Sequence, residues 1–245
     1  MTLLNLFIIP GNPPALYFYE LWAKEIKQEH PGCAVCLSPY PRLPLSGDAS
    51  KYLNDVADMH GEKLGIFQRA VGQNVTIIGH SLGGWMALRL LEKHNAIIEN
   101  CLLLYPFLRR PSLKGRTILR LLYHFRQISS MENRLLKKRG VLEKVFKDLK
   151  HVTDQELRAS LILAHQEHQT ISRYKGPINI EKSLRGKLHV IYCDRDTWCP
   201  SRTVNEIKQS IFCEKTNTTH GFITSAEERK VVLKALNKKL FQNRL

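Results

Sequence analysis

Apolar positions along the chain recur with two alternating periods. Residues 3–9 form an apolar run interrupted at Asn5 and closed by Pro10-Gly11, which predicts a buried strand. Residues 16–28 carry helical spacing, residues 34–37 a short apolar run, and residues 51–71 helical spacing again. The alternation continues through a strand at 75–79, a helix at 82–93 and a strand at 101–105. It then stops. From Phe107 to about residue 184 the chain shows helix-forming stretches and no convincing strand. Alternation resumes with a strand at 188–192, a helix at 202–209, a strand at 211–213 and a helix at 226–240. Strand and helix in strict turn require right-handed crossovers, hence a parallel sheet covered on both faces. The predicted architecture is α/β: residues 1–106 and 185–245 make the core, with a mostly parallel sheet and helices on both faces. Residues 107–184 make a helical cap inserted before the last two strands.

Composition narrows the class. At 245 residues and 43% hydrophobic, the chain can bury a full core and is not disordered. No apolar run approaches the roughly 18 residues of a membrane span. No basic stretch precedes the first apolar run, so no export signal is expected and the chain is placed in the reducing cytoplasm. Six cysteines are too few for a disulfide scaffold. Cys33 and Cys36 have CxxC spacing, but on a short strand their sulfurs would face opposite ways, as core residues do. His165 and His168 could share a helix face, yet no third ligand accompanies them, so neither metal nor cofactor is expected.

Charge changes the picture more. The net charge is +15, and residues 107–151 hold thirteen Lys or Arg against three acids. Apolar residues such as Leu119, Leu122, Leu135, Leu142 and Phe146 interleave with them. Such a segment packs its apolar side on the core, or offers a basic amphipathic surface to anionic lipid. No nucleic-acid motif accompanies the charge, so nucleic acid is not expected as a partner.

The candidate chemistry begins at Gly79-His80-Ser81-Leu82-Gly83. A strand runs into this G-x-S-x-G motif and a helix leaves it, the setting in which a serine hydroxyl is presented on a tight turn. The two glycines remove side chains that would collide across that turn. A serine hydroxyl needs a base, and the base needs an orienting acid, which here would follow in the order acid, then histidine. Asp196 lies just past the 188–192 strand, with Asp194 as the second candidate. His220, between the last short strand and the last helix, is the candidate general base. The backbone N–H of Leu82 and that of Asn12, in the Pro10-Gly11-Asn12-Pro13-Pro14 loop, are the candidate oxyanion donors.

Together these residues resemble the α/β-hydrolase fold and, more narrowly, the lipid droplet-associated hydrolase family. The resemblance rests on Ile9-Pro10-Gly11-Asn12-Pro13 followed by Tyr19, on the Ser81 motif, and on Leu104-Tyr105-Pro106. It continues through Tyr192 to Pro200, with its Asp-x-Trp-Cys-Pro, and His220-Gly221-Phe222. It implies a serine hydrolase of neutral lipid esters, such as sterol esters or acylglycerols, with Ser81, Asp196 and His220 as its triad. It also implies a cap that associates with lipid surfaces, so the protein would sit peripherally on a droplet or membrane. Pro14 and Cys193 stand where the family usually has Gly; neither removes a catalytic group. Two rival functions use the same residues. One is a lipid-surface binding protein with an idle triad; the other is an acyltransferase that passes the acyl group to an alcohol.

Overall fold

The computed structural model describes residues 4–41, 49–127, 151–174, 176 and 178–241. Six strands form one sheet: β1 (Asn5–Ile9), β2 (Ala34–Leu37), β3 (Val75–His80), β4 (Ile98–Leu104), β5 (Leu188–Tyr192) and β6 (Phe212–Lys215). Their order across the sheet is β2-β1-β3-β4-β5-β6, and every neighbouring pair is parallel. Seven α-helices are described: α1 (Leu16–Glu29), α2 (Ala49–Val71), α3 (Leu82–His94), α4 (Leu113–Gln127), α5 (Asp154–Thr170), α6 (Ser201–Ile207) and α7 (Ala226–Phe241).

The period of two along each strand divides the core between the two faces of the sheet. Phe7, Ile9, Ile77, Leu103 and Val190 face α2 and α3 and pack with Leu53, Leu64, Met86 and Leu90. Leu6, Ile8, Ile78, Leu102 and Ile191 face the other way and pack with Trp22 and Ile26 of α1 and with Val232 and Leu236 of α7. Cys33 joins the second cluster and Cys36 packs against the first, so the CxxC spacing does straddle the sheet.

The described part of the insert is helical. Helix α5 opens with a capping box: Glu156 N–H donates to Thr153 Oγ1 at 3.2 Å and Thr153 N–H to Glu156 Oε2 at 2.7 Å. Leu119, Leu163, Ala164 and Ile171 of the insert join the α2–α3 core cluster, so its apolar side packs on the sheet domain. The basic stretch 128–150 lies outside the described residues.

Two strands differ from their predicted bounds. β4 begins at Ile98, three residues early, because the parallel ladder to β3 pairs Ile98 with Val75 and, after a register shift, the polar Asn100 with Thr76. β6 runs to Lys215 because it is an edge strand. Its Glu214 and Lys215 reach solvent while their backbone still pairs with β5, so a hydrophobic pattern alone cuts it short. Among the described residues no helix is long and apolar enough to cross a membrane.

Candidate active site

The carboxyl ends of β1, β3, β5 and β6 carry four loops to one edge of the sheet, the place where α/β folds bind ligands. The turn after β3 is forced by close packing. A Cβ on Gly79 would lie 2.2 Å from the Gly83 carbonyl oxygen, and one on Gly83 would lie 2.3 Å from the Ile9 oxygen. With both side chains absent, the chain reverses within the motif and leaves Ser81 at φ 54° and ψ −115°. That left-handed backbone is held by two loop contacts: Ser81 N–H donates to Leu104 O at 3.0 Å, and Phe107 N–H donates to Ser81 O at 3.0 Å.

Ser81 Oγ lies 2.9 Å from His220 Nε2, and His220 Nδ1 lies 2.9 Å from Asp196 Oδ2. The sequence separations are 139 and 24 residues, so only the sheet brings these groups together. Asp196 is buried, and its Oδ1 accepts the N–H groups of Trp198 at 2.7 Å and Cys199 at 3.0 Å. Burial alone would raise this carboxyl. The bond and charge of His220, with those two N–H donors, outweigh it and hold the group below the usual carboxylate range. Asp194 points the other way: Arg195 between them sits at φ 58°, and Asp194 pairs with Lys215 in solvent at 2.5 Å. Cys193, the departure noted before the acid loop, turns its thiol 3.8 Å from Asp196 Oδ2, and burial pushes that thiol up to about 12.

The loop after β1 closes over the serine. A Cβ on Gly11 would lie 3.0 Å from Ser81 Cβ, so glycine favours this close approach. The Gly11 N–H is taken up by the Tyr19 hydroxyl at 2.7 Å. The N–H groups of Asn12 and Leu82 have no acceptor among the described residues. The Asn12 side chain reaches the insert instead, donating to Glu167 Oε2 at 2.8 Å and to Ser160 O at 3.2 Å. Glu167 is buried on α5, and burial pushes its carboxyl up to about 8 despite the Asn12 bond.

Behind the serine runs a chain of hydrogen bonds that motif reading does not find. Tyr19 Oη lies 2.5 Å from His80 Nδ1, and His80 Nε2 lies 2.9 Å from the His220 carbonyl. A carbonyl only accepts, so His80 Nε2 carries the proton and Nδ1 accepts from Tyr19. Burial pushes His80 down to about 3, which keeps this direction fixed across the working pH range. The relay joins Gly11, Tyr19, His80 and the backbone of His220, so it couples the loop after β1 to the loop of the imidazole. Tyr105 adds a second tie, with its hydroxyl 2.9 Å from Thr216 Oγ1 and 2.5 Å from Thr218 Oγ1. Tyr19 lies eight residues from Gly11, and His80 occupies the variable position of G-x-S-x-G. The family resemblance marks Tyr19 as a position but not its partner, and a pattern that scores the fixed positions of the serine motif passes over His80.

Tyr19→Phe tests the relay. It leaves the buried Gly11 N–H and His80 Nδ1 without partners, at a cost of about 1–3 kcal/mol. For a chain of this length the melting temperature should fall about 2–4 °C for each kcal/mol. Thermal denaturation followed by circular dichroism measures it, and an unchanged Tm would show that the relay carries no stability.

The model of the family described as lipid-droplet associated hydrolase matches residues 3–223. The chain belongs to that family. Members similar to it include the lipid droplet-associated hydrolases of Homo sapiens, 28% identical with 90% of this chain and 80% of that protein covered, and of Rattus norvegicus, 26% identical with 94% and 83% covered. Among solved structures, a carboxylesterase of the Thaumarchaeon Nitrososphaera gargenis aligns with TM-score 0.72 at 14% identity, covering 98% of this chain and 92% of that one. The esterase EaEST of Exiguobacterium antarcticum aligns with TM-score 0.64 at 17% identity, covering 96% and 91%. At these identities the structures speak for the fold alone, and it is the α/β-hydrolase fold. The described residues of this family member contain no group of three or more His, Cys, Asp or Glu arranged to hold a metal ion.

Proposed function

We propose that this hydrolase cleaves neutral lipid esters, of the sterol ester or acylglycerol type, through an acyl-enzyme on Ser81. The observation that carries the reading is the unbroken contact from Ser81 Oγ through both nitrogens of His220 to Asp196, each step 2.9 Å. His220 takes the serine proton as Oγ attacks the ester carbonyl, then returns it to the leaving alcohol. Asp196, ionised and buried, holds the imidazole with its proton on Nδ1 and stabilises the imidazolium. The Leu82 and Asn12 N–H groups receive the negative charge that develops on the carbonyl oxygen, and the first turn of α3 adds its positive end. Water then repeats the sequence and releases the acid. The human and rat relatives, both lipid droplet-associated hydrolases, support a lipid substrate class. The basic insert, in this reading, makes peripheral contact with anionic lipid at a droplet or membrane surface.

A fluorophosphonate probe tests serine activation without a choice of substrate. The purified wild type should be labelled, and Ser81→Ala and His220→Ala should not. Emulsified cholesteryl ester and acylglycerol, followed by release of free fatty acid, then separate the lipid reading from a general esterase. Labelling that persists in Ser81→Ala overturns the mechanism. Turnover confined to short soluble esters overturns the substrate class.

A further inference from the structure

Where the insert leaves the sheet, four arginines gather. Arg109 and Arg110 follow β4, Arg116 lies in the first turn of α4, and Arg202 lies at the start of α6 in the core. Arg202 Nη2 donates to the carbonyls of Arg110 at 2.5 Å and Pro111 at 3.0 Å, which draws the two segments together. Arg109 pairs with Glu206, which also accepts the Ile178 N–H at 2.7 Å. The side chains of Arg110 and Arg116 have no acid partner and no hydrogen bond among the described residues. The Nε atoms of Arg109 and Arg116 are buried, and neither has an acceptor. Arg202 is held below its usual value first by burial, then by the charges of Arg109, Arg110 and Arg116.

One carboxylate, Glu206, serves four guanidinium groups among the described residues, so the cluster keeps an excess of positive charge and of open N–H donors. Guanidinium groups suit phosphate because their planar N–H pairs match its oxygens. The first turn of α4 adds its own positive end beside them. The neighbouring residue selects the source of the phosphate. Leu113, the first residue of α4, is 70% exposed, the most exposed of the large apolar side chains described, and the exposed Lys114 follows it. A free phosphate makes no use of an apolar side chain standing in water next to its site; a lipid headgroup brings an acyl layer for it to enter.

We propose that Arg109, Arg110, Arg116 and Arg202 form a phosphate-binding site for the headgroup of an anionic phospholipid, with Leu113 entering the acyl layer. This rests on the lipid-surface reading above and deepens it: the site joins the insert to a core helix, which the charge count of the insert alone does not indicate. It also has an orientation. Ser112 N–H donates to Thr197 O at 2.9 Å, and Thr197 adjoins Asp196, so a headgroup bound here sets the acid-loop side of the candidate active site against the lipid.

Vesicle flotation tests the site, using phosphatidylcholine with and without phosphatidic acid. Binding should require phosphatidic acid and should weaken roughly tenfold or more in Arg110→Gln with Arg116→Gln. The double variant Lys230→Gln with Lys234→Gln removes the same charge from the exposed side of α7 and should bind within about twofold of wild type. Leu113→Ser should also weaken vesicle binding. Ser81→Ala should bind as wild type does, so failure of the hydrolase reading and failure of this site read out separately. Thermal denaturation confirms that each variant is folded, and Arg110→Gln alone replaces the double variant if that one is not. Equal losses in the arginine and lysine variants, or no loss in either, would overturn the site. Stabilisation by inorganic phosphate that depends on Arg110 and Arg116, without vesicle binding, would overturn the lipid as its occupant.

Discussion

Ser81→Ala should lower ester hydrolysis by about four to six orders of magnitude, with KM little changed. The hydroxyl is the only group removed, and in this reading its oxygen forms the bond to the acyl carbon, so the loss falls on turnover. The elbow should survive, because its shape is set by Gly79 and Gly83 against backbone carbonyls and by the bonds of Ser81 N–H and Ser81 O, none of which involves Oγ. Purified variant and wild type are compared on nitrophenyl esters of short and long acyl chains, with Tm as the folding control. Residual activity within tenfold of wild type at normal Tm would remove Ser81 from the mechanism.

Asp196→Asn should cost about four orders of magnitude in kcat, while Asp194→Asn should change it less than about twofold. The asparagine keeps an oxygen for Trp198 and Cys199 N–H, which now hold Asp196 Oδ1 at 2.7 and 3.0 Å. Its amide NH2 then takes the place of Oδ2, 2.9 Å from His220 Nδ1. An amide N–H can only donate there, so the imidazole proton moves to Nε2 and faces Ser81 Oγ, and the base is lost. Asp194 shares only a solvent-exposed ion pair with Lys215, 64% and 54% exposed, and such pairs contribute little. The two single variants therefore separate the neighbours that chain order alone leaves as alternatives. Equal effects from both, or retained activity in Asp196→Asn, would remove the acid from the scheme.

Much of the candidate site is readable along the chain because its motifs are short and rich in glycine. Gly79 stands where a Cβ would strike the Gly83 carbonyl within the same turn; the contacts of Gly83 with Ile9 O and of Gly11 with Ser81 join distant segments, yet each glycine lies inside a motif a few residues long. The edge strand β6 is harder to read. Its Glu214 and Lys215 belong to the ladder by backbone pairing, which side-chain periodicity does not report. The relay from Tyr19 to His80 is harder still. Its chemistry lies in one carbonyl that fixes the proton of His80 and hence the direction of every bond behind it.

By itself the sequence determined the alternation of strand and helix, the mostly parallel sheet, the serine turn and the excess of cations in the insert. These depend on periodicity, sterics and charge, which act between near neighbours or sum along the chain. The tertiary structure alone decided which aspartate meets His220, that Asn12 ties the loop after β1 to Glu167 of α5, and that Arg202 of the core holds the carbonyls of Arg110 and Pro111 in the insert. Each of these needs groups separated by 24 to 155 residues to arrive within a few ångströms. The free energy of such a contact depends on burial and direction, quantities that exist only once the sheet has brought the loops together.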